Sequence, residues 1–118
     1  MGESFKDLVV WQRSIELTVA IYQLTAGFPT TEQFGLTNQL RRASVSVASN
    51  IAEGYRRSTR EEYLQFLGHA RGSISEVQTQ LVISSELGFG QNEFRESACG
   101  LSEEVSRMLI AMMKKLRN

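Results

Sequence analysis

Gln39-Leu-Arg-Arg-Ala-Ser-Val-Ser-Val-Ala-Ser-Asn-Ile-Ala-Glu-Gly54 reads as one α-helix, and its two faces decide the fold. Leu40, Ala43, Val47 and Ile51 recur at helical spacing and form an apolar row. Gln39, Arg42, Ser46, Asn50 and Glu53 form a polar row beside it. Gly54 stands where a helix-ending residue is expected. Small residues on so narrow a pair of rows imply close packing on neighbours, with hydrogen bonds to be satisfied at the contact.

The flanking segments repeat the helical pattern. A first helix is predicted over residues 7–26, with Asp7 as its cap. Leu8, Trp11, Ile15, Val19 and Tyr22 make one apolar row of it, and Leu17, Ile21, Leu24 and Phe28 a second. Pro29, the only proline, breaks the pattern, and the second helix is expected over residues 36–54. Ser58 to Glu61, or Thr59 to Glu62, reads as a capping box opening a third helix over residues 59–87. Tyr63, Leu67, Ala70, Ile74, Val77 and Leu81 form its seam, and His69, Ser73, Glu76 and Gln80 a polar row. Gly68 and Gly72 each cost about 1 kcal/mol against alanine inside a helix, so close approach of another backbone is expected there. A fourth helix, capped by Asn92, is predicted over residues 92–117, its main row being Phe94, Ala98, Leu101, Val105, Met108 and Met112. Short connections between four such helices predict an all-α, antiparallel up-down-up-down four-helix bundle, a single domain spanning residues 1–118.

Composition narrows the function classes. The 118 residues suit one modest core, and 13 basic residues balance 13 acidic ones, leaving no global field for nucleic acid or an anionic membrane. Cys99 is the only cysteine, so no internal disulfide can form and a cytoplasmic setting is expected. No apolar run approaches the ~20 residues a bilayer requires. Met1-Gly2 opens like a myristoylation signal, but Lys6 stands where that signal needs Ser or Thr.

The chemistry-bearing residues do not assemble into a catalytic set. His69 is the only histidine and Asp7 the only aspartate, and they fall on different helices. Cys99 has no cationic neighbour in sequence to activate it. No Glu-x-x-His pair or zinc-spaced cluster is present, so neither metal nor cofactor is expected. Arg56, Arg57 and Arg60, with Lys114, Lys115 and Arg117, form a candidate RNA or partner patch; the alternative is a solvated network with Glu53, Glu61 and Glu62. The polar rows predict an interhelical or intersubunit network of Arg42, Ser46, Asn50, Glu53, Ser73 and Glu76, with Arg42 and Glu76 as an ion pair. The apolar residues Val9, Val10, Leu17, Ile21 and Leu24, with Val82, Ile83, Ile110, Met112 and Met113, exceed one bundle seam and predict self-association.

Motifs spread along the chain carry a family resemblance. Phe5-x-Asp7-Leu8-x-Val10-Trp11-Gln12, Tyr22-x-x-Thr25-x-x-Phe28-Pro29-x-x-Glu32, the Gln39–Gly54 stretch, Phe66-Leu67-x-x-Ala70-x-Gly72-Ser73-x-x-Glu76 and Leu87-Gly88 together resemble the four helix bundle proteins, also called 23S rRNA intervening-sequence proteins. The resemblance implies a small bacterial protein of four antiparallel helices forming a ring-shaped homo-oligomer, with a pentamer as the leading stoichiometry. It implies no assigned activity. A related branch, the accessory variability proteins of diversity-generating retroelements, binds a reverse transcriptase and RNA through a basic ring surface. The chain departs from that branch in its neutral charge, and it has Ala48 where many relatives carry proline. The leading expectation is a non-enzymatic interaction or scaffold protein whose partner is itself, with no membrane and no small-molecule substrate. The alternative is an RNA-binding accessory factor with a reverse transcriptase or ribosomal RNA partner.

Overall fold

The computed structural model describes residues 4–118; the Met1-Gly2 pair lies outside them. Four helices run through these residues: α1 (Val9–Thr25), α2 (Leu36–Tyr55), α3 (Arg60–Glu86) and α4 (Asn92–Arg117). Short 3-10 turns at Phe5–Asp7 and Thr30–Glu32 precede α1 and α2. The body measures 43 × 25 × 22 Å, a rod along the helix direction.

Cross-helix contacts set the direction of each helix. Thr18 and Arg41 tie α1 to α2, the Thr18 hydroxyl donating to the Ser44 carbonyl at 3.2 Å and Arg41 Nε to Thr25 Oγ1 at 2.9 Å. Ser46 meets Ser73 and Gln39 meets Gln80, so α2 and α3 run antiparallel. Gly68 faces Met113 at one end of the α3–α4 pair, and Ser84 faces Arg95 at the other. Each helix packs on its two chain neighbours around the ring, α1 closing onto α4. The result is the all-α up-down-up-down bundle.

That closure explains where the surplus apolar residues go. Because α1 lies between α2 and α4, it buries two rows instead of one. Val10, Leu17, Ile21 and Leu24 are all within the core, as is Met113 of α4. At about 1.5–3 kcal/mol for each fully buried aliphatic side chain, these residues stabilise the monomer and are not available as an interface. The expectation that they glue copies together is corrected on this point. Val9, Val82, Ile83 and Ile110, by contrast, remain exposed.

The helix ends are fixed by local polar chemistry. Thr59 caps α3, its hydroxyl accepting from the Glu62 amide at 3.1 Å, which selects the second of the two capping frames. The predicted caps of α1 and α4 are corrected. Asp7 closes a capping box with Ser4 around the preceding 3-10 turn, and Leu8 occupies the α1 cap without a side-chain bond. Gln91 holds the α4 cap position, while Asn92 is already helical and accepts from Arg95 Nη1 at 3.1 Å. Glu32 supplies what Gly35 cannot, its carboxylate accepting from the first amide of α2, Leu36 N, at 3.0 Å.

The α3–α4 turn is a Schellman arrangement. Phe89 N donates to Ser84 O and Gly88 N to Ser85 O, with Gly88 in the left-handed region at φ 75°. Arg95 then reaches back from α4 into this turn. It is 9% exposed, and its guanidinium donates to the Phe89 carbonyl and to Ser84 Oγ. No carboxylate pairs with it among the described residues. The carbonyl-rich end of α3 provides the negative pole for this buried cation.

Candidate interaction surfaces

Among the described residues no group of His, Cys, Asp and Glu is arranged to hold a metal ion. His69 sits edge-on to Phe66, ring centroids 5.7 Å apart, while the Asp7 carboxylate accepts from Ser4 N. Cys99 is half-buried in a groove of about 520 Å³ between α3 and α4, beside Leu81, Val82 and Glu103. Burial, and then the negative charge of Glu103, push its thiol pKa up, the opposite of what a nucleophile requires.

The polar rows of α2 and α3 meet along a second groove. Ser73 Oγ donates to Ser46 Oγ at 2.9 Å, and Asn50 Nδ2 donates to the same Ser46 oxygen at 3.0 Å and to the Ser46 carbonyl. Further along, Gln80 Nε2 donates to Gln39 Oε1 at 3.3 Å. Arg42 and Glu76 line the space between these two bridges, yet no ion pair joins them among the described residues. Both are exposed. Glu53, predicted as part of this network, instead pairs with Arg57 one turn along the chain.

Small residues do have a role in the α2–α3 contact, at a different glycine from those singled out. Gly54 is buried inside α2. A Cβ there would lie 2.8 Å from Phe66 Cβ and 3.1 Å from Tyr63 Cδ1. Gly72 has nothing within 4 Å and Gly68 only the Met113 methyl at 3.9 Å, so neither admits a backbone within the chain. The expectation for Gly68 and Gly72 is corrected accordingly.

The predicted basic residues converge. The antiparallel topology brings the α2–α3 turn and the C-terminal turn of α4 to one end of the rod, which also holds the start of α1. Arg56, Arg57, Arg60, Lys114, Lys115 and Arg117 therefore share this end with Lys6. Two of the arginines are partly engaged. Arg57 pairs with Glu53 and stacks over Phe66 at 4.7 Å, and Arg56 lies over Phe5 at 5.1 Å. Arg60 and the lysines are exposed. Asp7, Glu53, Glu61 and Glu62 temper the charge. At the opposite end stand Glu32, Glu86, Glu93 and Glu96, where Arg95 is buried. The neutral total thus conceals a separation of charge along the rod.

A third feature lies on the flank of α1 and α2. Ile15, Val19 and Tyr22 share a face of α1 at helical spacing, and all three are exposed, Val19 at 53%. Tyr22 lies beside Val45 of α2 in a shallow groove that also contains Arg42. Arg41 covers the Tyr22 ring at 4.3 Å.

The family described as 23S rRNA-intervening sequence protein matches residues 6–111, which include the Gln39–Gly54 motif. The chain belongs to the 23S rRNA-intervening sequence protein family. The match spans all four helices, α4 as far as its last turn and a half. Among solved structures, the chain is similar to a protein of unknown function from the S23 ribosomal protein family of Bacteroides thetaiotaomicron. That structure superposes with a TM-score of 0.81 at 25% identity, over 90% of this chain and 96% of the other. No curated protein matches the sequence. The family and this structural relative are of unknown function, and no catalytic family is indicated. No helix among the described residues is long and apolar enough to cross a membrane.

Proposed function

We propose that this member of the 23S rRNA-intervening sequence protein family is a non-enzymatic cytoplasmic protein that assembles with copies of itself, as a pentameric ring, and offers the assembled surface to a partner. The observation that carries the reading is the exposed apolar flank of Ile15, Val19, Tyr22 and Val45. These side chains lie together on adjacent helices, outside a core that is already complete, and clustered exposure of this kind marks interaction sites. The catalytic alternatives lack support, since the only histidine packs on a phenylalanine and the only cysteine has a raised pKa. Sedimentation equilibrium or native mass spectrometry at micromolar concentration tests the proposal. A discrete species several chains in mass is expected, and a monomer at all concentrations would overturn it.

A second reading is favoured by a separate observation, the gathering of cations from α2, α3 and α4 at one end. In it the protein is an RNA-binding accessory factor, with a ribosomal RNA or a reverse transcriptase complex as its partner. Binding of a single-stranded RNA by fluorescence anisotropy tests it. Affinity should fall steeply with salt, because phosphate contacts release counterions. Affinity indifferent to salt would refute a phosphate-driven site.

A further inference from the structure

Arg42 and Glu76 stand across the α2–α3 groove at the same level of the rod, between the Ser46–Ser73 and Gln39–Gln80 bridges. Each is exposed, and neither has an ionic partner among the described residues. Gln80 Oε1, in the same groove, is closed off from solvent yet accepts no hydrogen bond. The groove is therefore polar at its centre, with an exposed cation and an exposed anion.

Its margins are apolar. Tyr22 and Val45 border it on the α2 side, where Arg42 lines both grooves. Ile83 borders it on the α3 side, next to Glu76 and Thr79. Such a surface suits a partner that brings a carboxylate to Arg42 and a guanidinium to Glu76, with apolar side chains around them.

We infer that this groove is a contact surface between copies of the chain, with Arg42 of one copy paired to Glu76 of the next. The inference rests on the self-association proposed above and names the surface it uses. Charge complementarity selects the occupant. A second copy carries both charges at one level, Arg42 on the α2 flank and Glu76 on the α3 flank, so copies set side by side round the proposed ring with their helices running the same way bring Arg42 of each against Glu76 of the next. With the helices running oppositely, Arg42 would meet Arg42. The central pair thus dictates a common direction for neighbouring copies, the register-setting use to which interfacial charges are suited.

The experiment compares the unaltered chain with Arg42→Glu, Glu76→Arg and the double variant, by native mass spectrometry across a dilution series, with circular dichroism to establish folding. Both side chains are exposed, so the monomer fold should tolerate each change. Each single reversal is expected to weaken association about tenfold or more, and the double reversal to restore it. An equimolar mixture of the two single variants should form mixed species more readily than either forms alone, which a pair confined to one chain cannot produce. If the unaltered chain associates and the single reversals associate equally well, or the mixture gives no gain, this surface is excluded while self-association stands. A monomeric unaltered chain would remove both.

Discussion

Gly54 of α2 lies so close to Phe66 of α3 that a Cβ on the glycine would approach the phenylalanine Cβ to 2.8 Å. The glycine fixes how near the two helices come at the end of the rod where the cations gather. Gly54→Ala should therefore destabilise the fold despite the better helix propensity of alanine. Overpacking of this kind costs about 1–3 kcal/mol. Urea denaturation monitored by circular dichroism should show a lowered midpoint with an unchanged slope.

Gly72 provides the opposite case. It is exposed in α3, and a methyl group added there would have no neighbour within 4 Å, so alanine meets no obstacle. Gly72→Ala should raise stability by up to about 1 kcal/mol through helix propensity alone. The same denaturation assay, run at a concentration where the protein is monomeric, checks the sign.

Arg95 joins the two ends of the α3–α4 turn through the Phe89 carbonyl and Ser84 Oγ. Arg95→Met keeps the length and apolar stem but removes the donors. The loss of a charged hydrogen bond to this half-buried carbonyl should cost about 1.5–3 kcal/mol. Hydrogen exchange should accelerate first at the Phe89 and Gly88 amides, which hold the turn.

Cys99 should resist alkylation. Its pKa is raised, chiefly by burial, so the thiolate is scarcer at neutral pH than in a free cysteine. Iodoacetamide at a mildly alkaline pH should label the folded chain more slowly than the urea-unfolded chain. The linked effect on stability follows in sign. The folded state holds this proton more tightly than the unfolded state, so the contribution is full below the ordinary thiol range and is lost as pH rises through the raised value.

The basic end should not act uniformly toward a polyanion. Arg57 is engaged by Glu53 and Phe66, whereas Arg60 is exposed without an ion pair among the described residues. If RNA binds there, Arg60→Ala should lower the slope of log affinity against log salt by about 0.7, the value of one single-strand phosphate contact. Arg57→Ala should lower it less. Anisotropy titrations at several salt concentrations measure both.

The helices are legible in the sequence because their apolar spacing is strong, and α2, α3 and α4 begin where the pattern places them to within a residue. Periodicity does not reveal how many neighbours each helix has. Leu17, Ile21 and Leu24 look surplus in sequence because a two-row face serves equally for a flanked core helix and for an interface. Capping residues are ambiguous for a related reason: Asp7 can cap a helix or close a 3-10 turn, and only the chain path distinguishes them. The Ser46–Ser73 meeting follows from the polar rows, since antiparallel neighbours place those positions level. Glu53 shares the spacing of the polar row without joining its network, because a partner one turn away, Arg57, needs no second helix. Gly54 has the look of a terminator, yet its absent side chain makes room for Phe66.

Alternating helix directions have an electrical consequence. The four backbone macrodipoles oppose one another in pairs and largely cancel. The voltage difference between the two tips of the rod is therefore written almost wholly in side chains, lysine and arginine at one tip and glutamate at the other. Copies aligned in one direction would sum these into a disc with a positive side and a negative side, whereas alternating copies would erase them.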